Sequence, residues 1–166
     1  ATGALTTIRE NGAASGIGKA CALRFAAAGA KLALTDLDLG ALEVVCAQVT
    51  AAGGEALPFK ADVADTHSCE NVARQVLAAW GRIDFLAANA GVQIGGGLLD
   101  ASEEDWNRIM GVNLKGVAYS CKAVIQAMLE QGGGSIVLVS SVNALVGSPG
   151  MAIYDTIQHI KPDVAT

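Results

Sequence analysis

The sequence contains few charged and few aromatic residues. Charged side chains make up 16% and aromatic side chains 4% of the 166 residues, whereas charged residues reach about 25% in typical globular domains. The net charge is −5 and no lysine or arginine cluster occurs, which argues against a nucleic-acid partner and against binding to an anionic membrane surface. No apolar run reaches the ~18 residues of a transmembrane helix. No basic region precedes an apolar stretch at the N-terminus, so we expect no signal peptide and a cytoplasmic location.

Cysteine spacings typical of metal sites are also missing. The four cysteines are Cys21, Cys46, Cys69 and Cys121, each far from the next and within a segment of helical character. Neither a C-x-x-C pair nor a Cys/His ligand spacing occurs, so we predict no metal site. Free thiols in a reducing compartment are the expected state.

Apolar residues, in contrast, are abundant. They reach 52% of the sequence, with a mean hydropathy of +0.42. The length suits one domain over residues 1–166. This composition is apolar for a monomer, which favours either a homo-oligomer or a chain that is part of something longer.

Strand-like and helix-like segments alternate along the chain. We predict strands at 4–8, 31–36, 55–63, 83–88 and 135–140. Helices are predicted at 17–28, 39–52, 66–80 and 103–131. Connections of helix length imply parallel strands with helices on both faces, which predicts an α/β fold with a three-layer, doubly wound parallel sheet of the Rossmann type. Pro58 favours an edge position for the third strand, and the first strand is unexpectedly polar for a buried position.

A glycine-rich turn precedes the first helix. Gly12, Gly16 and Gly18 follow a G-x-x-x-G-x-G spacing. Glycine permits a tight turn and close approach of a ligand, and the N–H groups at a helix start favour a phosphate. Asp36 stands eighteen residues after Gly18 at a strand end, where a carboxylate can accept hydrogen bonds from a ribose. The alternative is a strand-to-helix turn without a ligand.

Several further polar segments follow the predicted strands. Ligands of such sheets bind at the carboxyl ends of the strands. The segments predicted to lie there are Gly12–Gly18, Asp36, Asp62, Asn89–Gly91 and Ser140–Ser141. Their common location at one edge predicts a dinucleotide site.

These motifs together resemble the short-chain dehydrogenase/reductase family, from about Asn11 to Tyr154. The resemblance implies NAD as cofactor, and NADP less so because the Asp36 carboxylate would repel a 2′-phosphate. The cofactor-binding residues that it implies are Gly12, Ser15, Gly16, Ile17, Gly18, Asp36, Asp62, Val63, Asn89, Ala90 and Gly91. Ala88 stands where the family has the first asparagine of its N-N-A-G motif.

The resemblance also implies a catalytic set of Asn113, Ser141 and Tyr154, with Ser141 and Tyr154 separated by 13 residues. Hydride would pass between nicotinamide and a small alcohol or carbonyl substrate. Tyr154 would move the proton, Ser141 would bind the substrate oxygen, and Asn113 would support a water-mediated proton path. The alternatives are structural: Ser141 ending a strand, Asn113 bonding a carbonyl in a bent helix, and Tyr154 anchoring the tail.

One position of the catalytic motif differs from the family. Gln158 occupies the place of a lysine that lowers the tyrosine pKa and contacts the cofactor ribose. A cation ~4 Å from a phenolate contributes up to ~4 kcal/mol at an effective dielectric near 20. We therefore expect an activity lower by roughly two to three orders of magnitude. Lys161 is a poor substitute, because Pro162 biases it away from helical geometry.

The sequence after Tyr154 no longer resembles the family, which continues with further strands. We expect an incomplete C-terminal part, through a reading-frame slip near residue 154 and perhaps near residue 11. The fifth strand would then form an apolar edge, and homo-oligomer formation would be weakened. Two other functions stay open: a dinucleotide-binding chain without catalysis, and an interaction module that pairs through this edge.

Overall fold

Five parallel strands form the sheet of the computed structural model, which describes residues 7–158. The strands are β1 (Thr7–Asn11), β2 (Lys31–Asp36), β3 (Glu55–Lys60), β4 (Phe85–Ala88) and β5 (Ser135–Leu138). Their spatial order is β3-β2-β1-β4-β5. The chain thus winds outward from β1 in one direction and then returns to add β4 and β5 on the other side. The strand order reverses between β1 and β4, the point where open α/β sheets bind ligands.

Helices cover both faces of the sheet. They are α1 (Gly16–Ala27), α2 (Leu39–Ala51), α3 (Thr66–Trp80), α4 (Glu103–Ile109), α5 (Gly116–Glu130) and α6 (Ala152–Gln158). One apolar cluster joins α1 and α2 to the sheet through Leu32 and Leu34. A second cluster joins α3 and α5 to the opposite face through Ala33 and Leu86. The predicted three-layer α/β fold is therefore confirmed.

Local signals set most helix boundaries. The Asp65 carboxylate caps α3 by accepting hydrogen bonds from the N–H groups of His67 and Ser68. Gly81, with a φ of 75°, ends that helix in the left-handed conformation, which costs glycine little. Ser102 and Asp105 form a capping box at the start of α4. The predicted starts of these two helices, at residues 66 and 103, are confirmed.

Strand β1 has an unusual composition for a central strand. It was expected at 4–8; residues 4–6 lie outside the described part, and the strand continues to Asn11. Ile8 packs in the α1/α2 cluster, and alternation along a strand points Arg9 to the other face. The Arg9 side chain is 0% exposed, and none of its three nitrogens has a hydrogen-bond partner within residues 7–158. Burial lowers the pKa of Arg9, an effect that the nearby Cys69 opposes.

The two edges of the sheet are β3 and β5. Pro58 lies in β3, so the edge position predicted from this proline is confirmed. On β5, Val137 is 45% exposed, and Leu129 of α5, which lines a surface cavity together with Ile136 of β5, is 65% exposed. The fifth strand therefore forms the apolar edge expected from the sequence. Across residues 7–158, no helix has both the length and the apolar character needed to cross a bilayer.

Candidate active site

The turn between β1 and α1 requires glycine at two positions. Gly12 has a φ of 71°, and both its N–H and that of Ala13 donate to the Thr35 carbonyl, at 2.8 and 3.2 Å. A Cβ on Gly18 would lie 2.0 Å from the Gly12 carbonyl oxygen. The start of α1 consequently packs directly on the backbone of the turn. Gly18 therefore shapes this turn, although it does not line the cleft beside it.

Two side chains from neighbouring strands fix the turn. The Asn89 amide, just after β4, donates to the carbonyls of Asn11 and Gly12, each at 3.3 Å. Asp36, at the end of β2, accepts a hydrogen bond from Ala14 N–H at 3.1 Å. Its other oxygen accepts from Leu37 N–H at 2.8 Å. The turn is thus held in place by Asn89 and Asp36, two residues that we predicted from the sequence to bind the cofactor.

Among the described residues, no side chain caps the N-terminus of α1. Ser15 occupies the cap position in an extended conformation, but its hydroxyl accepts no hydrogen bond from the helix, and no acidic residue lies in the first turn. Gly16 has a φ of 51° and open space where a Cβ would stand. The first N–H groups of a helix lack partners within the helix. This end of α1 can therefore donate hydrogen bonds to an anion and stabilise it through the helix dipole.

A cleft of about 420 Å³ opens above this turn. Of the predicted cofactor residues, it is lined by Gly12, Ser15, Gly16, Ile17, Asp36, Asp62, Val63, Asn89, Ala90 and Gly91. The structure thus brings together all of them except Gly18. Asp62 is exposed and accepts from Ala64 N–H at 2.9 Å, while Val63 packs against Gly116. Within the described part of the chain, no lysine or arginine side chain lines the cleft.

Asn113 lies in a π-helical segment, Met110–Lys115, between α4 and α5. A single helix was expected over 103–131, and this segment interrupts its α-helical hydrogen bonding. Asn113 is 1% exposed. Its amide bonds the backbone of Val92 twice, donating to the carbonyl and accepting from the N–H, each at 2.8 Å. The structural alternative for Asn113, a bond to a carbonyl, is therefore present, and it places this residue beside the loop after β4.

Tyr154 and Gln158 line a smaller cavity of about 200 Å³, which adjoins the cleft through Ile17 and residues 89–92. Asn113 also lines this cavity, so two of the three predicted catalytic residues meet there. Gln158 is 5% exposed, and its carbonyl oxygen accepts from the Ser140 hydroxyl at 3.3 Å. Lys161 lies outside the described residues.

Ser141, the third predicted catalytic residue, lies beside the cavity rather than in its wall, where Ser140 stands instead. The Ser141 hydroxyl caps the short 3₁₀-helix Val142–Ala144, accepting from Asn143 N–H at 3.2 Å. From the sequence, Ser140 was predicted to lie at the carboxyl ends of the strands, but it was given no functional role. No role was predicted for Gln93, which also lines the cavity. The alternation of side chains at a strand end is the signal that could have separated the two serines.

Comparison with known proteins gives one consistent family. The family model described as "short chain dehydrogenase" matches residues 8–157. The chain is 38% identical over 152 residues to "Probable oxidoreductase EphD" of Mycobacterium tuberculosis, covering 91% of this chain and 26% of the relative. It is 39% identical over 143 residues to "3-oxoacyl-[acyl-carrier-protein] reductase FabG" of Thermotoga maritima, covering 86% and 58%.

A solved structure shows the same fold. It is a short chain dehydrogenase/reductase from Burkholderia phymatum in complex with NAD, 36% identical, with a TM-score of 0.91. The match covers 93% of this chain and 56% of that one. The chain thus spans about a quarter of EphD and somewhat over half of FabG and of the Burkholderia protein. The family model, the relatives and the solved structure agree with a cleft at the carboxyl ends of the parallel strands. The chain belongs to the short chain dehydrogenase family of oxidoreductases.

Proposed function

We propose that this chain binds a nicotinamide adenine dinucleotide along the cleft, NAD in preference to NADP, and reduces a carbonyl or oxidises an alcohol with it at a low rate. The observation that supports this most directly is the uncapped start of α1 beneath a continuous cleft. This cleft runs on into the cavity of Tyr154 through shared lining residues. The start of α1, Asp36 and the cavity of Tyr154 would thus serve the phosphate, the ribose and the nicotinamide along one continuous opening.

The residues present fit this cofactor. Gly16 leaves room where a side chain would otherwise stand. As the first residue of α1, it also has an N–H without a partner inside the helix. The pyrophosphate would sit there, stabilised by the helix dipole and by backbone N–H donors. Asp62 and Val63, which also line the cleft, would contact the adenine.

Asp36 supports the preference for NAD. Its carboxylate is partly exposed, at the cleft wall, and its orientation is set by the Ala14 and Leu37 N–H groups. It can accept further hydrogen bonds from ribose hydroxyls. A 2′-phosphate at the same place would meet a fixed negative charge and, among the described lining residues, no basic one. The repulsion costs about 1–4 kcal/mol per pair of unit charges at ~4 Å in a well-solvated site.

Fluorescence titration with NADH and NADPH tests the cofactor proposal. We expect NADH to bind at least about tenfold more tightly than NADPH, a difference of ~1.4 kcal/mol, and Asp36→Asn to remove most of this preference. Asp38→Asn is the matched control, because Asp38 is exposed, caps α2 and lies outside the cleft wall, and asparagine caps a helix equally well. Absence of NADH binding, or an unchanged preference in Asp36→Asn, would contradict the proposal.

For the chemistry, Tyr154 is the proposed proton donor and acceptor at the substrate oxygen. When bound, nicotinamide supplies or receives the hydride. Ser141 is proposed to bind the substrate oxygen, and Asn113 to keep the loop after β4 in place for the cofactor through its two bonds to Val92. Among the described residues, the polar side chains that line the cavity are those of Asn89, Gln93, Asn113, Ser140, Tyr154 and Gln158, and none of them is a lysine, arginine, aspartate or glutamate.

Gln158 weakens this chemistry, because a neutral amide stands beside Tyr154 where a cation would favour the phenolate. We expect Gln158→Lys to raise turnover by roughly two to three orders of magnitude, following a Coulomb gain of up to ~4 kcal/mol. The rate is followed by the absorbance of NADH with excess cyclohexanone. Gln126→Lys, the same change on the exposed face of α5, is the control and should have no effect. An unchanged rate in Gln158→Lys would count against the role of Tyr154.

A dinucleotide-binding chain without catalysis is the second candidate. It is favoured by the buried amide of Gln158, whose carbonyl oxygen is already occupied by the Ser140 hydroxyl. NADH binding without turnover in both the parent protein and Gln158→Lys would support it.

A further inference from the structure

The loop between β5 and α6 is tied to the first turn of α6 by one carboxylate. Asp155 accepts a hydrogen bond from the Asn143 side-chain amide at 2.5 Å, and its second oxygen accepts from Ser148 N–H at 2.7 Å. These two donors lie 12 and 7 residues before Asp155 in the sequence. These two contacts therefore hold both the first and the second half of the loop against α6.

The same contacts define how the Asn143 amide is oriented. Its NH₂ group faces two acceptors, the Asp155 carboxylate and the Ser148 hydroxyl at 3.1 Å. A flipped amide would direct its oxygen at a carboxylate, with two acceptors opposed in one contact. The carbonyl oxygen is consequently directed to Ser141, whose hydroxyl lies 3.4 Å away.

Ser141 is held from two directions by this one residue. Its hydroxyl accepts from Asn143 N–H at 3.2 Å and faces the Asn143 side-chain oxygen. Asp155, in turn, directly follows Tyr154 in α6. The carboxylate thus connects the residue that orients Ser141 with the helical turn that carries Tyr154.

We propose that Asp155 is a positioning residue: its carboxylate orients the Asn143 amide, which places the Ser141 hydroxyl relative to Tyr154. The proposal rests on the proposed function for its catalytic consequence, whereas the chain of contacts itself is independent of it. A hydroxyl within reach of a reacting oxygen contributes fully only when it is held in the right geometry, and small misplacements are costly in rate. Asp155 acts on this geometry without touching the substrate.

Exchange of amide hydrogens, measured by NMR, tests the chain of contacts. In Asp155→Ala we expect exchange at least about tenfold faster for the Ser148 N–H and also for the Asn143 N–H, which bonds Ser141 rather than Asp155. If Asp155 merely held the loop, only Ser148 would lose protection. Unchanged exchange at Asn143 would therefore overturn the proposal.

A swap of the two side chains provides the matched rescue. Asn143→Asp alone opposes two carboxylates, and Asp155→Asn alone offers the Ser148 N–H and the Asn143 amide only one acceptor oxygen between them. The double variant Asn143→Asp/Asp155→Asn restores an amide donor, a carboxylate acceptor and an oxygen for the Ser148 N–H. We expect protection at Asn143 to fall in each single variant and to return to within about threefold of the parent value in the swap. Failure of the swap to restore protection, while it unfolds at the parent temperature, would overturn the proposed orientation.

Turnover adds the functional test. In the Gln158→Lys background, with NADH and cyclohexanone, Asp155→Asn should lower kcat at least about tenfold and leave the dissociation constant for NADH within about twofold. The swap should recover kcat. An unchanged kcat in Asp155→Asn would overturn the positioning role. If the background protein binds no NADH, the proposed function fails, and the exchange measurement still decides whether Asp155 orients Ser141.

Discussion

Replacement of Arg9 by methionine should stabilise the protein. Arg9 lies in the central strand β1, fully buried, and its guanidinium nitrogens make no hydrogen bond to a described side chain or backbone group. Burial lowers its pKa, and the Cys69 thiol is the nearby group that raises it. An ion buried without a partner is strongly unfavourable, because the interior does not replace its lost hydration. Methionine is unbranched, of similar length and without a charge, so it can occupy the same space between β1 and the α3/α5 layer.

The size of the effect follows from the environment of Arg9. An uncompensated buried charge costs about 3–5 kcal/mol. For a chain of this length, each kcal/mol changes the unfolding temperature by about 3 °C. We therefore expect Arg9→Met to raise the free energy of unfolding by ~3–5 kcal/mol and the unfolding temperature by roughly 10–15 °C.

Urea unfolding followed by circular dichroism, together with calorimetry, measures both quantities. Arg74→Met is the matched control, because Arg74 is exposed on α3 and a surface change away from special features stays within about 0.5 kcal/mol. NADH affinity should be unchanged in both variants, since neither residue lines the cleft. If Arg9→Met unfolds no later than Arg74→Met, the guanidinium has a partner that stabilises it, and the reasoning is refuted.

Three further predictions concern the turn, the π-helical segment and the sheet. Gly18→Ala should cost about 1–3 kcal/mol of stability and weaken NADH binding at least about tenfold, since its Cβ would lie 2.0 Å from a backbone oxygen. In contrast, Gly40→Ala within α2, where the Cβ would make only an ordinary contact with the Asp38 carboxylate at 3.5 Å, should stabilise by up to ~1 kcal/mol. Asn113→Ala leaves the partly buried N–H and carbonyl of Val92 without these partners, so urea unfolding should show a loss of about 1–3 kcal/mol, and an unchanged stability would contradict this. Burial raises the pKa of Asp84, but hydrogen bonds from Arg82 and from a strand N–H outweigh it and leave that pKa below its ordinary value. The stability contributed by this carboxylate is therefore present above about pH 4 and is lost as the pH falls through the lowered pKa, so the parent should lose more stability than Asp84→Asn between pH 4 and pH 2.

Features that depend on neighbouring residues in the sequence were predicted well. Strand β2 and the first residues of α3 and α4 agree with the prediction, because an apolar run, a capping aspartate or a capping box acts within a few residues. The location of the cofactor residues at one edge also followed, since parallel strands direct all their carboxyl ends to one side.

Features that depend on distant contacts were not predicted. The π-helical segment is stabilised by bonds between Asn113 and Val92, 21 residues apart. Ser140 pairs with Gln158 across 18 residues, and no pattern along the chain indicates such a pair. Arg9 made β1 a weak strand by composition, yet pairing with both β2 and β4 places it in the sheet and forces its side chain inward.

Because of its π-helical segment, the continuous helical stretch from α4 to α5 is sensitive to the number of residues that it contains. A π turn accommodates one residue more than an α turn, so Met110–Lys115 amounts to an insertion. Deleting one residue there would regularise the helix and rotate everything before it by about 100° relative to α5. Ile109, which packs with Ile153 and Ile157 of α6, would then point away from them. Substitutions in this segment act locally, whereas a single deletion would separate the tyrosine-bearing helix from its support.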